Sequence, residues 1–399
     1  MTRTPFAVKG GGHSHNLGFS STSGVHISMA RFKDIVIHED SGTVEIGAGL
    51  TWGEVYAHLV PKGINIVGGR MDPVGVAGFT LGGGYSWKSN QYGLAVDNVV
   101  GYELVLPNGK VKVVTDKDED LFFGLKGGFN NFGIVTKFTV KSHKQTDIWA
   151  ASFKYVGEQI AEAQAAMAKF VTREHDHKGA QFGVYIYTKG SLLFEISLFY
   201  DGPELPQGLY DEFFDLPNTS RSIFKGSYAA FVESMSHLMP EQRNGYSHGS
   251  PILHLTEPII KAIANETEFW GEWLSKHDEN VLVSSAFDPF EPDYLTHGGP
   301  SAHPPDRSRA YLPASMFIAW SKPLVEKYME DAIRRSGEAL VTAGIRDGQD
   351  LENAAPYVNY VMFDTPLEKM YGGGLERLRE IRREYDPEDV MGLTGGWKF

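Results

Sequence analysis

Pro5-Phe6-Ala7-Val8-Lys9 runs as a short apolar stretch into Gly10-Gly11-Gly12, with His13 and Ser14 directly after it. Successive glycines let backbone come close to a ligand and leave N–H groups pointing inward, which suits a diphosphate. The plainer reading is a tight turn. A histidine at the rim of such a loop is placed to touch the same ligand. Two further clusters, Gly82-Gly83-Gly84 and Gly127-Gly128 with Gly133, follow in strand-rich sequence. None continues into the Gly-Lys-Ser/Thr of a Walker loop. After the first there is neither a long helix nor the acidic residue that closes a dinucleotide-type βαβ unit.

Other side chains with chemical potential are scattered. Tyr357-Val358-Asn359-Tyr360 alternates with period two, so as a strand it puts Tyr357 and Asn359 on one face, lining a pocket or packing as aromatic core. Asp97-Asn98 follows Tyr92-Gly93-Leu94-Ala95 and reads as an Asx turn, or as a carboxylate orienting a glycine loop. His13 and His15 sit two apart, as do His175 and His177, and zinc would need a third and a fourth ligand for either pair. His58, His237, His248, His254, His297 and His303 complete no familiar ligand pattern, so no metal is expected. Gly245-Tyr246-Ser247-His248-Gly249 matches Gly-x-Ser-x-Gly, but polar Pro240–Asn244 precedes it and Ser250-Pro251 follows. A nucleophile elbow needs a buried strand before and a helix after, so a loop is expected here and not a hydrolase site.

The elements that must position these groups change character along the chain. Up to Ser142, short strands are predicted at Val25–Met29, Asp34–Ile37, Val44–Ala48 and Gly133–Val140, with short helices at Thr51–Leu59, capped by Thr51, and Asp120–Leu125. Pro107-Asn108-Gly109 between Val99–Leu106 and Lys110–Val114 is the strongest hairpin signal. Beyond Ser142, strands at Ala150–Tyr155, Phe182–Tyr187, Leu192–Phe199, Asn280–Ser285 and Ala314–Ile318 are interleaved with helices at Gly157–Thr172, Leu209–Phe214, Pro258–Lys276 and Pro323–Val341. That pattern predicts an α+β domain, an antiparallel sheet with helices on one face. The Pro-, Gly-, Asp- and His-rich segment between Ala286 and Pro313 is too long for an idle connection and is expected to line a site or make a contact. One helix is predicted over Met370–Asp386, and the apolar ending Gly395–Phe399 is expected to dock.

The chain has 399 residues, 42% hydrophobic, enough for two domains. With 37 basic and 50 acidic residues the net charge is −13, and without a basic run a nucleic-acid surface is excluded. No apolar stretch is long enough to span a bilayer. Cysteine is absent, which removes disulfides, thiol nucleophiles and cysteine-ligated clusters. No targeting segment is read ahead of the first strand, and a monomer is expected.

These motifs resemble the berberine-bridge-enzyme-like oxidases of the vanillyl-alcohol-oxidase / p-cresol-methylhydroxylase (PCMH) superfamily, especially fungal members. The matching stretches are Gly10–Ser14, Val74-Gly75-Val76-Ala77-Gly78 with Leu81–Tyr85, Tyr92–Asn98, Gly127-Gly128 through Gly133-Ile134-Val135-Thr136, and Tyr357–Tyr360 with Tyr371-Gly372 and Tyr385-Asp386-Pro387. The resemblance implies a two-domain flavoprotein: a PCMH-type FAD-binding module over residues 1–143, a substrate domain over 144–352, and a C-terminal segment, 353–399, completing the module. It implies that FAD is held by Gly10, Gly11, Gly12, His13, Ser14, Val74, Gly75, Gly78, Gly82, Gly83, Gly84, Tyr92, Asp97, Asn98, Gly133, Ile134 and Val135, with His13 bonded to the flavin 8α-methyl. Met71 stands where relatives carry a second, cysteinyl link, so that link is excluded. Val74 matches a position at which valine accompanies oxidase behaviour. Tyr357 and Asn359 match residues over and beside the flavin ring, and Tyr357 is the expected base or base-partner. The implied reaction is hydride transfer from an alcohol or related C–H group to flavin N5, then electron transfer to O2 with release of H2O2. A dehydrogenase with another acceptor and an inactive paralogue are the alternatives. Relatives, often secreted, carry a further small subdomain ahead of the Gly-Gly-His strand, so incomplete flavin loading is an expectation.

Overall fold

The computed structural model describes residues 3–173, 175–238, 244–309 and 311–399. The Asn-Gly turn joins Val99–Val105 to Val111–Val114, with Val105 opposite Val111, Gly109 at φ +80° and Asn108 Oδ1 accepting from the Lys110 N–H at 3.0 Å. That hairpin is one side of a five-stranded antiparallel sheet ordered Ile35–His38, Thr43–Gly47, Ile134–Lys141, Val99–Val105, Val111–Val114. Helix Trp52–Leu59 starts where expected, because Thr51 and Glu54 form a reciprocal cap: Thr51 N–H donates to Glu54 at 2.9 Å and Glu54 N–H to the Thr51 hydroxyl at 3.4 Å. Its Trp52, Val55, Tyr56 and Leu59 enter the core.

Phe6–Lys9 pairs in parallel with Val25–Ser28, and Phe6 also bridges to Thr394. The C-terminal run packs nearby. Trp397 meets Phe19 edge-on at 4.7 Å, Asn131 donates to the Trp397 carbonyl at 3.0 Å, and Phe399 lies against Phe132 and Tyr371. The apolar ending therefore docks.

A second antiparallel sheet has seven strands in the order Ser220–Gly226, Ile148–Val156, Ser191–Tyr200, Gly179–Thr188, Leu282–Phe287, Leu312–Trp320, Asn244–Ile252. Alternation along each strand divides its side chains between two cores. Phe153, Tyr155, Tyr185 and Phe194 share one cluster with residues of helices Gln159–Phe170 and Glu257–Ser275. Helix Glu326–Arg346 lies against Asn244–Ile252 and Leu312–Trp320. Ala150, Phe182, Val184 and Phe199 point the other way and join Trp52, Tyr56 and Trp87. This is the α+β architecture predicted. Among the described residues no helix is long and apolar enough to cross a membrane.

Three local expectations are corrected. Tyr357–Tyr360 is not a strand: Val358–Tyr360 is a 3-10 turn closed by Tyr360 N–H to the Tyr357 carbonyl at 2.9 Å. The Met370–Asp386 helix is two helices, Leu367–Tyr371 and Leu375–Tyr385, because Gly372-Gly373-Gly374 intervenes and Gly372 takes φ +46°. Gly245–Gly249 lies in strand Asn244–Ile252 and not in a loop; residues 240–243 lie outside the described residues. That strand ends its sheet, where polar residues and Pro251 are tolerated. The backbone continues extended past Ser247, so the elbow geometry is absent.

Candidate active site

The first glycine loop, Gly10–Gly12, is pressed onto the Val74–Gly78 stretch. A Cβ on Gly11 would lie 2.6 Å from the Gly75 backbone and one on Gly75 2.5 Å from Gly11 N, so both positions exclude side chains. Gly75 bridges Thr51, and Val74 offers its carbonyl to the Trp52 N–H at 3.0 Å, which fixes the loop to the cap of the first helix. Ser14 Oγ accepts from Asn16 N–H at 3.2 Å, and Asn16 reaches the Val361 carbonyl at 3.0 Å. Residues 13–16 are thereby brought beside the turn that carries Tyr357 and Asn359. Partial burial lowers the His13 pKa below its ordinary 6.5, so the imidazole is neutral at pH 7.

The second cluster meets the C-terminal turn directly. Tyr357 Oη accepts two hydrogen bonds, from Gly84 N–H at 3.0 Å and from Asn359 Nδ2 at 2.7 Å. Asn359 Nδ2 also donates to the Phe79 carbonyl at 3.1 Å. A Cβ on Gly82 would overlap the Asn359 amide at 2.3 Å. Burial raises the Tyr357 pKa, helped by Tyr360 and opposed by the two N–H donors.

Tyr92, Asp97 and Asn98 act at one remove. Asp97 accepts from the Leu94 N–H at 2.9 Å, three residues back as in a capping box, and so forms no Asx turn, which would take the N–H two residues on. The following Ala95 and Val96 N–H groups donate to the carbonyls of Gly84 and Gly83, each at 2.9 Å, so the carboxylate does shape a glycine cluster. Asn98 holds the Tyr92 and Leu94 carbonyls, and Tyr92 stacks on His143 at 3.7 Å. Gly133, Ile134 and Val135 open a sheet strand opposite Leu104 and Val105. At Gly133, φ +144°, a Cβ would lie 2.3 Å from the Val105 carbonyl, so the glycine answers to sheet packing. Among the described residues, their strand pairing and close approaches do not reach Tyr357.

Several site residues escaped the sequence reading. Arg70 and Asp288 form a buried two-pronged ion pair, and Arg70 also reaches Tyr360 Oη at 3.4 Å. Tyr360 meets the Tyr357 ring edge-on at 4.8 Å, and Tyr85 lies 4.3 Å from it on another side. His303 is 6.1 Å from the Tyr357 ring, with its Cδ2 3.9 Å from where a Gly83 Cβ would be and its backbone against Gly127. Arg307 clamps Asp97 at 2.6 Å. Asp288, His303 and Arg307 all come from the long segment between Ala286 and Pro313, which has the site-lining work expected of it. Its composition was the signal; individual partners were not visible.

Burial pushes the His303 pKa down to about 4, while a 3.4 Å hydrogen bond to the Met370 carbonyl opposes the shift. The unfolded imidazole titrates near 6.5. Protons therefore bind the unfolded chain preferentially between these values, and stability that is complete above pH 6.5 is lost as pH falls toward 4. Urea unfolding at pH 7 and pH 5 should show His303→Gln losing about 1–2 kcal/mol less than wild type over that interval. Equal losses would place the titration elsewhere.

FAD fits these residues on structural grounds. The N–H groups of Gly11, Gly12 and His13 donate to no protein acceptor among the described residues, as an anion-binding loop requires. A Cβ on exposed Gly78 would meet only open space. The comparisons agree. An FAD binding domain model matches residues 1–115, and a berberine and berberine-like model matches residues 356–394. The chain thus carries an FAD-binding segment and, at its far end, a berberine-like segment.

An uncharacterized FAD-linked oxidoreductase of Arthroderma benhamiae is 41% identical over 57% of this chain; that match covers 46% of the Arthroderma protein, so less than half of its length. The FAD-dependent monooxygenase tpcD of Cochliobolus heterostrophus is 28% identical over all of this chain and 80% of its own. The 6-hydroxy-D-nicotine oxidase structure from Arthrobacter nicotinovorans superposes with TM-score 0.78 at 20% identity, covering 98% of this chain and 86% of that one, which is a likeness of fold.

Proposed function

We propose that this FAD-dependent oxidoreductase is an oxidase that removes a hydride from an alcohol or related C–H donor, with O2 as final acceptor and H2O2 as product. FAD supplies the hydride-accepting centre and the electron path to oxygen; the chain supplies binding, placement and proton handling. The observation that carries the reading is the Tyr357 oxygen. Two N–H donors converge on it, and no described residue accepts its own proton. The phenol must first release its own proton to solvent; as the phenolate, with both donors facing its negative charge, it can then take the proton of a substrate hydroxyl. Burial opposes that charge, so substrate binding must complete the stabilisation. Asn359 orients the phenol and holds it to the glycine cluster.

We further propose that His13 carries the flavin 8α bond, since a neutral imidazole has the lone pair this bond needs. The glycine loops bind the diphosphate, and the Asp97–Arg307 clamp keeps Gly83-Gly84 in place. Sugars, aromatic alcohols and alkaloid-like metabolites remain the substrate classes in view, since the seven-stranded domain carries little of the family signal.

Val74 supports the oxidase reading through its match to the oxygen-access position. The test needs no substrate. Photoreduced protein mixed with air-saturated buffer should reoxidise far faster than free reduced flavin and release one H2O2 per flavin. Slow reoxidation with rapid turnover by a quinone would make it a dehydrogenase. The name of the tpcD relative adds a third outcome, which needs a turned-over substrate to detect: 18O2 oxygen retained in the product without stoichiometric H2O2 would make it a monooxygenase.

A further inference from the structure

Away from the flavin cradle, His177, Asp293 and His297 each bring a ligand atom within 4.8 Å of the others. His177 sits in the turn between helix Gln159–Phe170 and strand Gly179–Thr188. Asp293 caps the start of the single turn Tyr294–His297 in the site-lining segment, and His297 ends it. The sequence reading paired His177 with His175, and the fold separates them: His175 stacks on Phe170 at 3.7 Å and bonds its carbonyl.

We propose that these three side chains bind a zinc-class divalent cation that ties the site-lining segment to the substrate-domain sheet, with water as fourth ligand. Two imidazoles and one carboxylate favour a borderline cation over calcium or magnesium, which take all-oxygen shells. His177 Nε2 lies 3.7 Å from Asp293 Oδ1. That is too long for a hydrogen bond and near the ~3.4 Å between two ligands on one tetrahedral ion. Asp293 Oδ1 is shielded from solvent yet has no hydrogen-bond partner, an arrangement a cation would resolve. His297 Nε2 lies 3.1 Å from the Asn90 carbonyl, so it carries the proton and leaves Nδ1 with its lone pair. A backbone carbonyl on the second nitrogen is how metal-bound histidines are usually held.

The cation would act on position and not in the reaction. Between the ligands, the Leu295 carbonyl accepts from Arg307 at 2.9 Å, and Arg307 holds Asp97. Fixing the 293–297 turn therefore steadies the clamp that shapes Gly83-Gly84.

The test is zinc content after dialysis of the full chain against excess ZnCl2 and then buffer, with hydrogen exchange over residues 288–309. Wild type should retain about one zinc per chain, and exchange in that segment should slow. His177→Ala and the milder Asp293→Asn should each lose the zinc and the slowing while keeping flavin content. Wild type retaining less than about a fifth of an equivalent, variants retaining as much as wild type, or exchange indifferent to zinc would each overturn the proposal.

Discussion

Tyr357→Phe is expected to slow flavin reduction by about 10²–10⁴-fold, the usual worth of a positioned proton acceptor. The substitution removes one oxygen and keeps the ring, so packing against Tyr85 and Tyr360 persists and substrate affinity should change little. Gly84 N–H and one Asn359 donor lose their acceptor, which costs about 1–3 kcal/mol of stability on its own. Rapid-mixing reduction under anaerobic conditions separates the two effects, because chemistry is read at saturating substrate on folded protein. An unchanged rate would transfer the proton-accepting role to another group, and His303, 6.1 Å from the Tyr357 ring, stands next in line.

Arg70→Met should be the most destabilising single change near the site. Both partners of the Arg70–Asp288 pair are buried, with side chains 9% and 3% exposed. Removing only the guanidinium strands a carboxylate in the interior, at a cost of about 3–5 kcal/mol. Arg70 also lies over Phe182 at 5.0 Å and touches Tyr360, so the loss reaches the aromatic wall around Tyr357. The unfolding midpoint should drop by about 4–6 °C, and adding Asp288→Leu should restore much of it. A double variant no more stable than Arg70→Met would mean that packing, and not the stranded charge, sets the cost.

What could be read in advance follows from how local each feature is. The Asn108-Gly109 hairpin and the Thr51–Glu54 cap are decided within a few residues, and both formed. Glycine clusters are legible because absence of a side chain is itself the signal: Gly11 against Gly75 and Gly82 against Asn359 tolerate nothing larger. Tyr357–Tyr360 was misread because four residues of alternating character cannot separate a strand from a turn. Gly245–Gly249 was misread because a strand at the end of a sheet lacks the apolar alternation of an interior one. Arg70 with Asp288, and Arg307 with Asp97, are invisible to spacing because each pair closes across more than two hundred residues. His177 and His297 belong to the same class, joined only by the fold.

The central claim, that these glycine loops and the Tyr357–Asn359 turn enclose FAD attached at His13, is tested most directly by acid precipitation of the purified chain. Yellow colour and flavin fluorescence should stay in the protein pellet, and proteolytic mapping should place the flavin on the peptide containing His13. His13→Ala should release all of its flavin to the supernatant. Free FAD in the wild-type supernatant would contradict the attachment, and a colourless protein purified after expression with ample FAD would contradict the account as a whole.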